Sequence, residues 1–389
     1  MKSNGTDNLE VADIFREYGV EYRKTYQTPV NHTKVMNLIT SCRTSSLGGH
    51  IQRCDKCGYE TNAYNSCRNR HCPKCQFSAK ENWLIERESE LLPVPYYHIV
   101  FTIPDLLNRL TLVNKRVMYS ILFKAASETL LVLGKDPKHL GADIGLIAIL
   151  HTWGQNLMDH PHLHCVVPGG GLSSDGKEWI YSKKAKYRGF FIHVNVISDL
   201  FKKKFLYYLK NAYRNKELKF IGKIEELGSQ QAFQKLLNEL YEKKWITYCK
   251  RPFGGPKQVL EYLGRYTHRV AISNNRIKRI ENGKVIFEWR DYRDNNKKKE
   301  LAITPIEFIR RFMLHILPES FFKIRYYGIL SSRKKKTALE RCRELLANLK
   351  AVVEKISLIE LPRLLNLICP ICKEGKMSVK NINIGAAPS

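Results

Sequence analysis

Six cysteines fall between Cys42 and Cys75, and they restrict what this chain can fold into more than any other feature. Cys54-Asp-Lys-Cys57 and Cys72-Pro-Lys-Cys75 are two C-x-x-C knuckles fourteen residues apart, the spacing of a zinc ribbon with four thiolate ligands. So short a segment cannot bury a core of its own, and zinc is expected to fold it. Cys42, His50, Cys67 and His71 remain in the same stretch and could complete a second zinc set. The alternative is one ion, with Cys67 and His71 as spare or exchanged ligands. The amino terminus, Met1-Lys-Ser-Asn-Gly-Thr-Asp, lacks the apolar core of a signal peptide. That favours metal ligation in a reducing, cytoplasmic compartment over disulfides. Near the other end Cys369-Pro-Ile-Cys372 is half a zinc site, to be paired with another chain, left as a remnant, or idle. Cys165, Cys249 and Cys342 read as core residues.

Charge points to the partner. With 65 Lys plus Arg against 37 Asp plus Glu the formal net charge is +28, which a polyanion would neutralise, and nucleic acid is the expected companion. Arg68, Arg70 and Lys74 lie among the cysteines and Arg265 lies between two tyrosines, which makes them the candidate DNA contacts. The run Ile144 to Leu150 is far too short to span a bilayer, so no membrane role is expected. A length of 389 residues predicts two or three domains. Three units suggest themselves: a helical and zinc-binding unit over 1–90, a mixed unit over 91–330, and a basic helical tail over 331–389. Oligomeric state is not legible.

Within the middle unit, Tyr96 to Ile103 is a β-rich run closed by Pro104, and Leu106 to Leu133 reads as a helix ended by Gly134. Ile144 to Gln155 and His162 to Val167 read as a hairpin with its turn at Leu157 to His160. Asn282-Gly283 marks a second hairpin, and Ile306 to Leu317 a further helix.

Two constellations carry chemistry. On a strand His162 and His164 share a face, and their neutral imidazoles can donate two nitrogens to a divalent ion, Mg2+ or Mn2+, leaving positions for water and a phosphate oxygen. If the turn centres near Met158 or Asp159, Gln155 falls opposite the pair as a third ligand, with His160 and His151 as competitors. Lys257 to Arg269 has helical spacing, and there Tyr262 and Tyr266 share a face. A nearby cation would favour their phenolates as nucleophiles toward phosphorus.

Three motifs in order then suggest a family. Asn65-Ser-Cys-Arg-Asn-Arg-His-Cys-Pro-Lys-Cys-Gln76, His160-Pro-His-Leu-His-Cys-Val-Val-Pro-Gly-Gly-Gly-Leu172 and Tyr262-Leu-Gly-Arg-Tyr-Thr-His-Arg-Val-Ala-Ile-Ser273 resemble the rolling-circle transposases of the insertion-sequence-ninety-one family. Arg325-Tyr-Tyr-Gly328 resembles the same family. The resemblance implies an α+β fold, a His-hydrophobe-His nuclease domain with a central antiparallel sheet flanked by helices, joined to a small zinc-ribbon domain. It implies that His162 and His164 are the metal pair and Tyr262 and Tyr266 the nucleophiles, acting on single-stranded transposon ends through a 5′-phosphotyrosine. A replication initiator or relaxase would share the chemistry. A non-catalytic zinc-ribbon protein that binds nucleic acid through its charge is the competing class.

Overall fold

A five-stranded antiparallel sheet organises the molecule, because its central strands are apolar on both faces and must be covered on both. The computed structural model of the chain describes residues 9–182, 192–253, 258, 259, 264, 270–291, 294–347 and 368–384. In chain order the elements begin with helices α1 (Val11–Thr25) and α2 (Val30–Ser41), strands β1 (Gly49–Cys54) and β2 (Glu60–Tyr64), and helix α3 (Pro73–Glu88). Next come β3 (Tyr96–Thr102), α4 (Asn108–Val113), α5 (Lys115–Lys135), β4 (Gly145–Trp153), β5 (Asp159–Pro168), β6 (Gly170–Leu172) and β7 (Trp179–Tyr181). Then follow α6 (Val194–Arg214), α7 (Gln230–Glu242), β8 (Thr247–Phe253), β9 (Ile277–Glu281), β10 (Lys284–Asp291) and β11 (Lys297–Ile303). The last are α8 (Pro305–Leu314), β12 (Ile324–Gly328), α9 (Lys335–Leu346) and β13 (Met377–Ile384). The expected α+β class, with antiparallel sheets flanked by helices and a cysteine-rich segment near the amino terminus, is the observed one.

The main sheet runs β12-β4-β5-β3-β8. Alternation sends Phe101, Leu146, Ala148, Leu150, Leu163 and Cys165 to one face, where α5 and α6 cover them with Phe123, Phe201 and Phe205. Phe101 and Phe201 meet with ring centroids 4.7 Å apart, and each such side chain contributes roughly 1.5–3 kcal/mol on burial. Helix α5 is the one described helix long and apolar enough to cross a membrane, and 67% of that stretch is buried in this core. The opposite face carries Tyr96, Ile147, Ile149 and Val166, packed with Val259 and with Leu339, Cys342 and Leu346 of α9. Trp83 and Leu84 of α3 lean on the same cluster.

A second core joins α1 and α2 to α8 and the β9–β11 meander, where Phe15 meets Phe312 edge-on at 5.2 Å. The expected hairpin turns at Asn282 and Gly283, with φ of 50° and 68°, the left-handed pair that a two-residue turn needs. The helix expected over Leu106 to Leu133 is instead broken at Asn114. Its side chain accepts from the Lys219 N–H at 2.7 Å and donates to the Lys219 carbonyl at 2.9 Å, tying the break to the segment after α6. Gly328 of the Arg-Tyr-Tyr-Gly motif has φ of 62°, and a Cβ there would lie 1.9 Å from the Ile144 carbonyl, so only glycine fits.

Candidate functional site

The β4–β5 register brings three histidines together. His151 pairs with His162, and Ile149 pairs with His164, so all three imidazoles rise from one face of the sheet. The Nε2 atoms of His162 and His164 are 3.1 Å apart, and the ligand nitrogens of His151, His162 and His164 all lie within 4.8 Å of one another. His162 Nδ1 lies 2.6 Å from the His160 carbonyl, which can only accept, so Nδ1 carries the proton and Nε2 keeps its lone pair. His164 Nδ1 meets His98 Nε2 at 2.9 Å, with the two rings stacked. His151, His164 and His98 are buried, and His162 is the half-exposed member through which a ligand would enter.

Gln155 is not where the sequence reading put it. Strand β4 ends at Trp153, a register shift falls between His151 and Trp153, and Trp153 pairs with Asp159, so the turn centres on Asn156. Gln155 therefore lies in the turn, and His151 stands opposite His162. Three side chains clamp that turn through its carbonyls: Arg276 donates to Gln155, Arg311 to Asn156 at 3.1 Å, and His315 Nε2 to Leu157 at 3.0 Å. Burial pushes His315 down to about 3, so it is neutral, and its Nδ1 accepts from Thr152 Oγ1 at 3.2 Å. The hairpin that carries the histidines is thus braced by α8. His160 gives its carbonyl to His162, and its ring is not among the converging ligands.

On the other face of β5, Asp159 is half-buried, its two carboxylate oxygens are shielded from solvent, and neither has a hydrogen-bond partner among the described residues. Burial raises it to about 7 against the pull of Lys115, whose own value burial lowers to about 8.

Tyr262, Tyr266 and Arg265 lie outside the described residues, as does most of the helix expected over Lys257 to Arg269. Two residues of that stretch are informative. Val259 is fully buried among Tyr96, Ile147, Ile149 and Val166, on the histidine face. Gly264 packs on α3, where a Cβ would come within 2.9 Å of Leu84.

The thiols group differently from expectation. Cys42, Cys67, Cys72 and Cys75 form one cluster, with Cys75 Sγ 3.5 Å from both Cys42 and Cys67. Cys54 and Cys57 do not join Cys72 and Cys75; they meet Cys369 and Cys372, and the half site expected near the carboxy terminus is thereby completed. The reason is topological. Cys54 and Cys57 sit at the tip of the β1–β2 hairpin, while Cys72 caps α3 beside Cys42 at the end of α2. Spacing defines a knuckle but not its partner. Neither histidine enters: His50 lines an open concavity with Arg43 and Arg68, and half-buried His71 accepts the Leu317 N–H at 3.4 Å. Four sulfurs on zinc at about 2.3 Å have tetrahedral edges of about 3.8 Å, so an all-thiol first cluster fits the metal.

Of the proposed DNA contacts, Arg68 is exposed on that concavity. Arg70 is turned inward and donates to the carbonyls of Pro318 and Phe321, and Lys74 pairs with Glu10 at 2.6 Å. Sequence reading missed His98 and His315. Each is a single polar residue in an apolar run, Tyr-Tyr-His-Ile-Val-Phe and Phe-Met-Leu-His-Ile-Leu, and that was the available signal.

Comparison with known proteins places this geometry in context. Residues 145–337, which include the histidine hairpin and the tyrosine segment, match a family model described as "Putative transposase". Residues 14–103, with the first six cysteines, match one described as "Transposase zinc-binding domain". A Sinorhizobium fredii protein described as "Putative transposase y4qJ" is 50% identical over 338 residues, 87% of this chain and 84% of its own length. The "Transposase for insertion sequence element IS801" of Pseudomonas savastanoi pv. phaseolicola is 28% identical over 298 residues, 75% of this chain and 68% of its own length. No solved structure matches.

Proposed function

We propose, from the premise that this chain belongs to the IS91 family of transposases, that it nicks and joins single-stranded DNA at the ends of its element through a 5′-phosphotyrosine. DNA is its partner as a transposase, and its amino-terminal domain is a zinc-binding one. The observation that carries the finer reading is the convergence of His151, His162 and His164 on the sheet face where Val259, a close neighbour of Tyr262, is buried.

Engagement of Nδ1 in His162 and His164 leaves their Nε2 atoms as donors, and with His151 they would hold a divalent ion. Mg2+ and Mn2+ are the candidates, and three nitrogens favour Mn2+. Bound there, the ion would draw charge from a phosphate oxygen and favour phenolate over phenol. Tyr262 or Tyr266 then attacks phosphorus: the Oη–P bond forms as the P–O3′ bond breaks, the phenol gives up its proton, and the departing 3′ oxygen takes one up. The energy of the broken linkage is kept in the phosphotyrosine, so a 3′ hydroxyl can reverse the step at a second end without ATP. A second tyrosine permits another cleavage while the first is occupied, as replication-coupled strand transfer would require. In this reading His151 takes the third position, Gln155 lies in the turn with its carbonyl held by Arg276, and His98 orients His164.

Full-length protein with labelled single-stranded DNA spanning an element end and Mn2+ should give an adduct that survives denaturation. Tyr262→Phe together with Tyr266→Phe should abolish it, as should EDTA with the unmodified protein. An adduct that persists in the double variant would move the nucleophile elsewhere. Strand binding with no adduct under any condition would leave the non-catalytic class.

A further inference from the structure

The second thiol cluster lies outside both matched regions in half of its residues, since Cys369 and Cys372 follow residue 337. Cys54 Sγ is 3.7 Å from Cys372 Sγ, and Cys57 Sγ is 3.6 Å from Cys369 Sγ. A disulfide would need about 2.05 Å, whereas sulfurs sharing a tetrahedral zinc lie about 3.8 Å apart.

The backbone around the sulfurs is built in the same way on both sides. The residue after each second cysteine has a left-handed φ, 73° at Gly58 and 60° at Lys373. Backbone amides point at the sulfurs: Cys57 N–H to Cys54 at 3.4 Å, Ile371 N–H to Cys369 at 3.4 Å, and Gly375 N–H to Cys372 at 3.3 Å. Such donors favour thiolates over thiols. Gly375 leaves room for this approach, because a Cβ there would sit 2.3 Å from Cys54 Sγ. The two knuckles also bond to each other, Asp55 N–H to the Lys376 carbonyl at 3.1 Å and Lys376 N–H to Asp55 Oδ1 at 2.7 Å. From there β13 runs antiparallel to β1, with Cys54 opposite Met377 and Arg53 opposite Ser378, completing a sheet in the order β13-β1-β2.

We infer that Cys54, Cys57, Cys369 and Cys372 bind one zinc ion that clasps the carboxy-terminal strand onto the amino-terminal hairpin. The ribbon is therefore split between the two ends of the chain. Its ligands are separated by more than 300 residues, so it closes only when the carboxy-terminal segment is present.

Zinc analysis of the full-length protein, purified under reducing conditions with zinc as the only added metal, tests this. In a His162→Ala and His164→Ala background, which keeps the histidine centre from adding to the count, the chain should carry two ions, one for each thiol cluster. Cys369→Ser with Cys372→Ser should lower the content to one, Cys54→Ser with Cys57→Ser should do the same, and all four changes together should still leave one. An unchanged content in the Cys369 and Cys372 variant, or a larger loss in the fourfold variant than in either pair, would overturn the clasp. A second measurement needs no variant. Cys57 is exposed and Cys372 half-buried, so only coordination would shield them from N-ethylmaleimide. Both should be protected at first and should react together once a chelator is added. Immediate labelling of Cys372 while Cys57 stays protected, or a disulfide between the two ends in place of zinc, would also overturn it.

Discussion

His151, His162 and His164 stand on strands that pair with each other and are backed by a continuous apolar core, whereas Cys54, Cys57, Cys369 and Cys372 stand on turns whose one further buried apolar neighbour among the described residues is Met377. Cys42, Cys67, Cys72 and Cys75 fall between these extremes, seated at the edge of the core shared by α1, α2 and α8. Under the proposed function, the contrast assigns different work to each metal. Where the fold already holds the ligands, losing the ion removes chemistry; where the ligands hold the fold, losing it removes structure. The largest effect should therefore come from stripping zinc. Structural zinc sites are worth about 10–16 kcal/mol in small domains, so chelation should open β1, β2 and β13 to hydrogen exchange while the five-stranded sheet keeps its protection. Equal loss of protection in both sheets would erase the distinction.

Next in size is the converse experiment. His162→Ala with His164→Ala should lower adduct formation roughly 1,000-fold, a barrier change of about 4 kcal/mol, while the melting temperature moves by only a few degrees. A large fall in melting temperature would mean that the histidines are structural, and the contrast would fail from the other side.

The histidine hairpin even carries a destabilising charge. Asp159 has a folded value of about 7 against an ordinary 3.8, so the folded state holds an extra proton between those pH values. Its contribution is favourable below about 4 and is lost as pH rises through about 7. Asp159→Asn should accordingly be more stable than the unmodified chain at pH 8, with the gap closing toward pH 4. Lys115 loses a counter-charge in the variant, which limits the gain to about 2 kcal/mol. Denaturant titrations of both proteins at the two pH values would show it, and a gap that widens toward acid would refute the assignment.

What could be read from sequence follows the same division. Local signals were sound: Asn282-Gly283 made its turn, Pro104 closed β3, and the period of two put His162 and His164 on one face. Pairing between distant segments was not legible. Cys54 and Cys57 look as able to join Cys72 and Cys75 as any other knuckle, because spacing contains no information about which loop closes over which. The strand pairing expected for Gln155 differs for a smaller reason: the register shift beyond His151 ended the strand at Trp153 and moved the turn toward the amino terminus, which set His151 opposite His162. Asn114 could not be recognised as a helix break because its partner, Lys219, is remote in sequence.

His98 offers the finest probe of the contrast, since it touches the histidine centre without converging on its ligand position. Its Nε2 lies 2.9 Å from His164 Nδ1, and for His164 to offer Nε2 to an ion, Nδ1 must carry the proton and donate it to His98. His98 would thus fix both the tautomer and the ring plane of the proposed ligand. Removing it with His98→Phe, which keeps an aromatic ring in the buried site, should raise the Mn2+ concentration for half-maximal adduct formation about tenfold. The rate at saturating Mn2+ should hardly change. His98→Gln restores an acceptor and should recover part of the affinity, which a purely packing role would not produce. If His98→Phe instead lowers the saturating rate and leaves the metal requirement unchanged, the residue acts on the strand or the nucleophile rather than on His164, and the centre depends on its surroundings in a way the sheet alone does not supply.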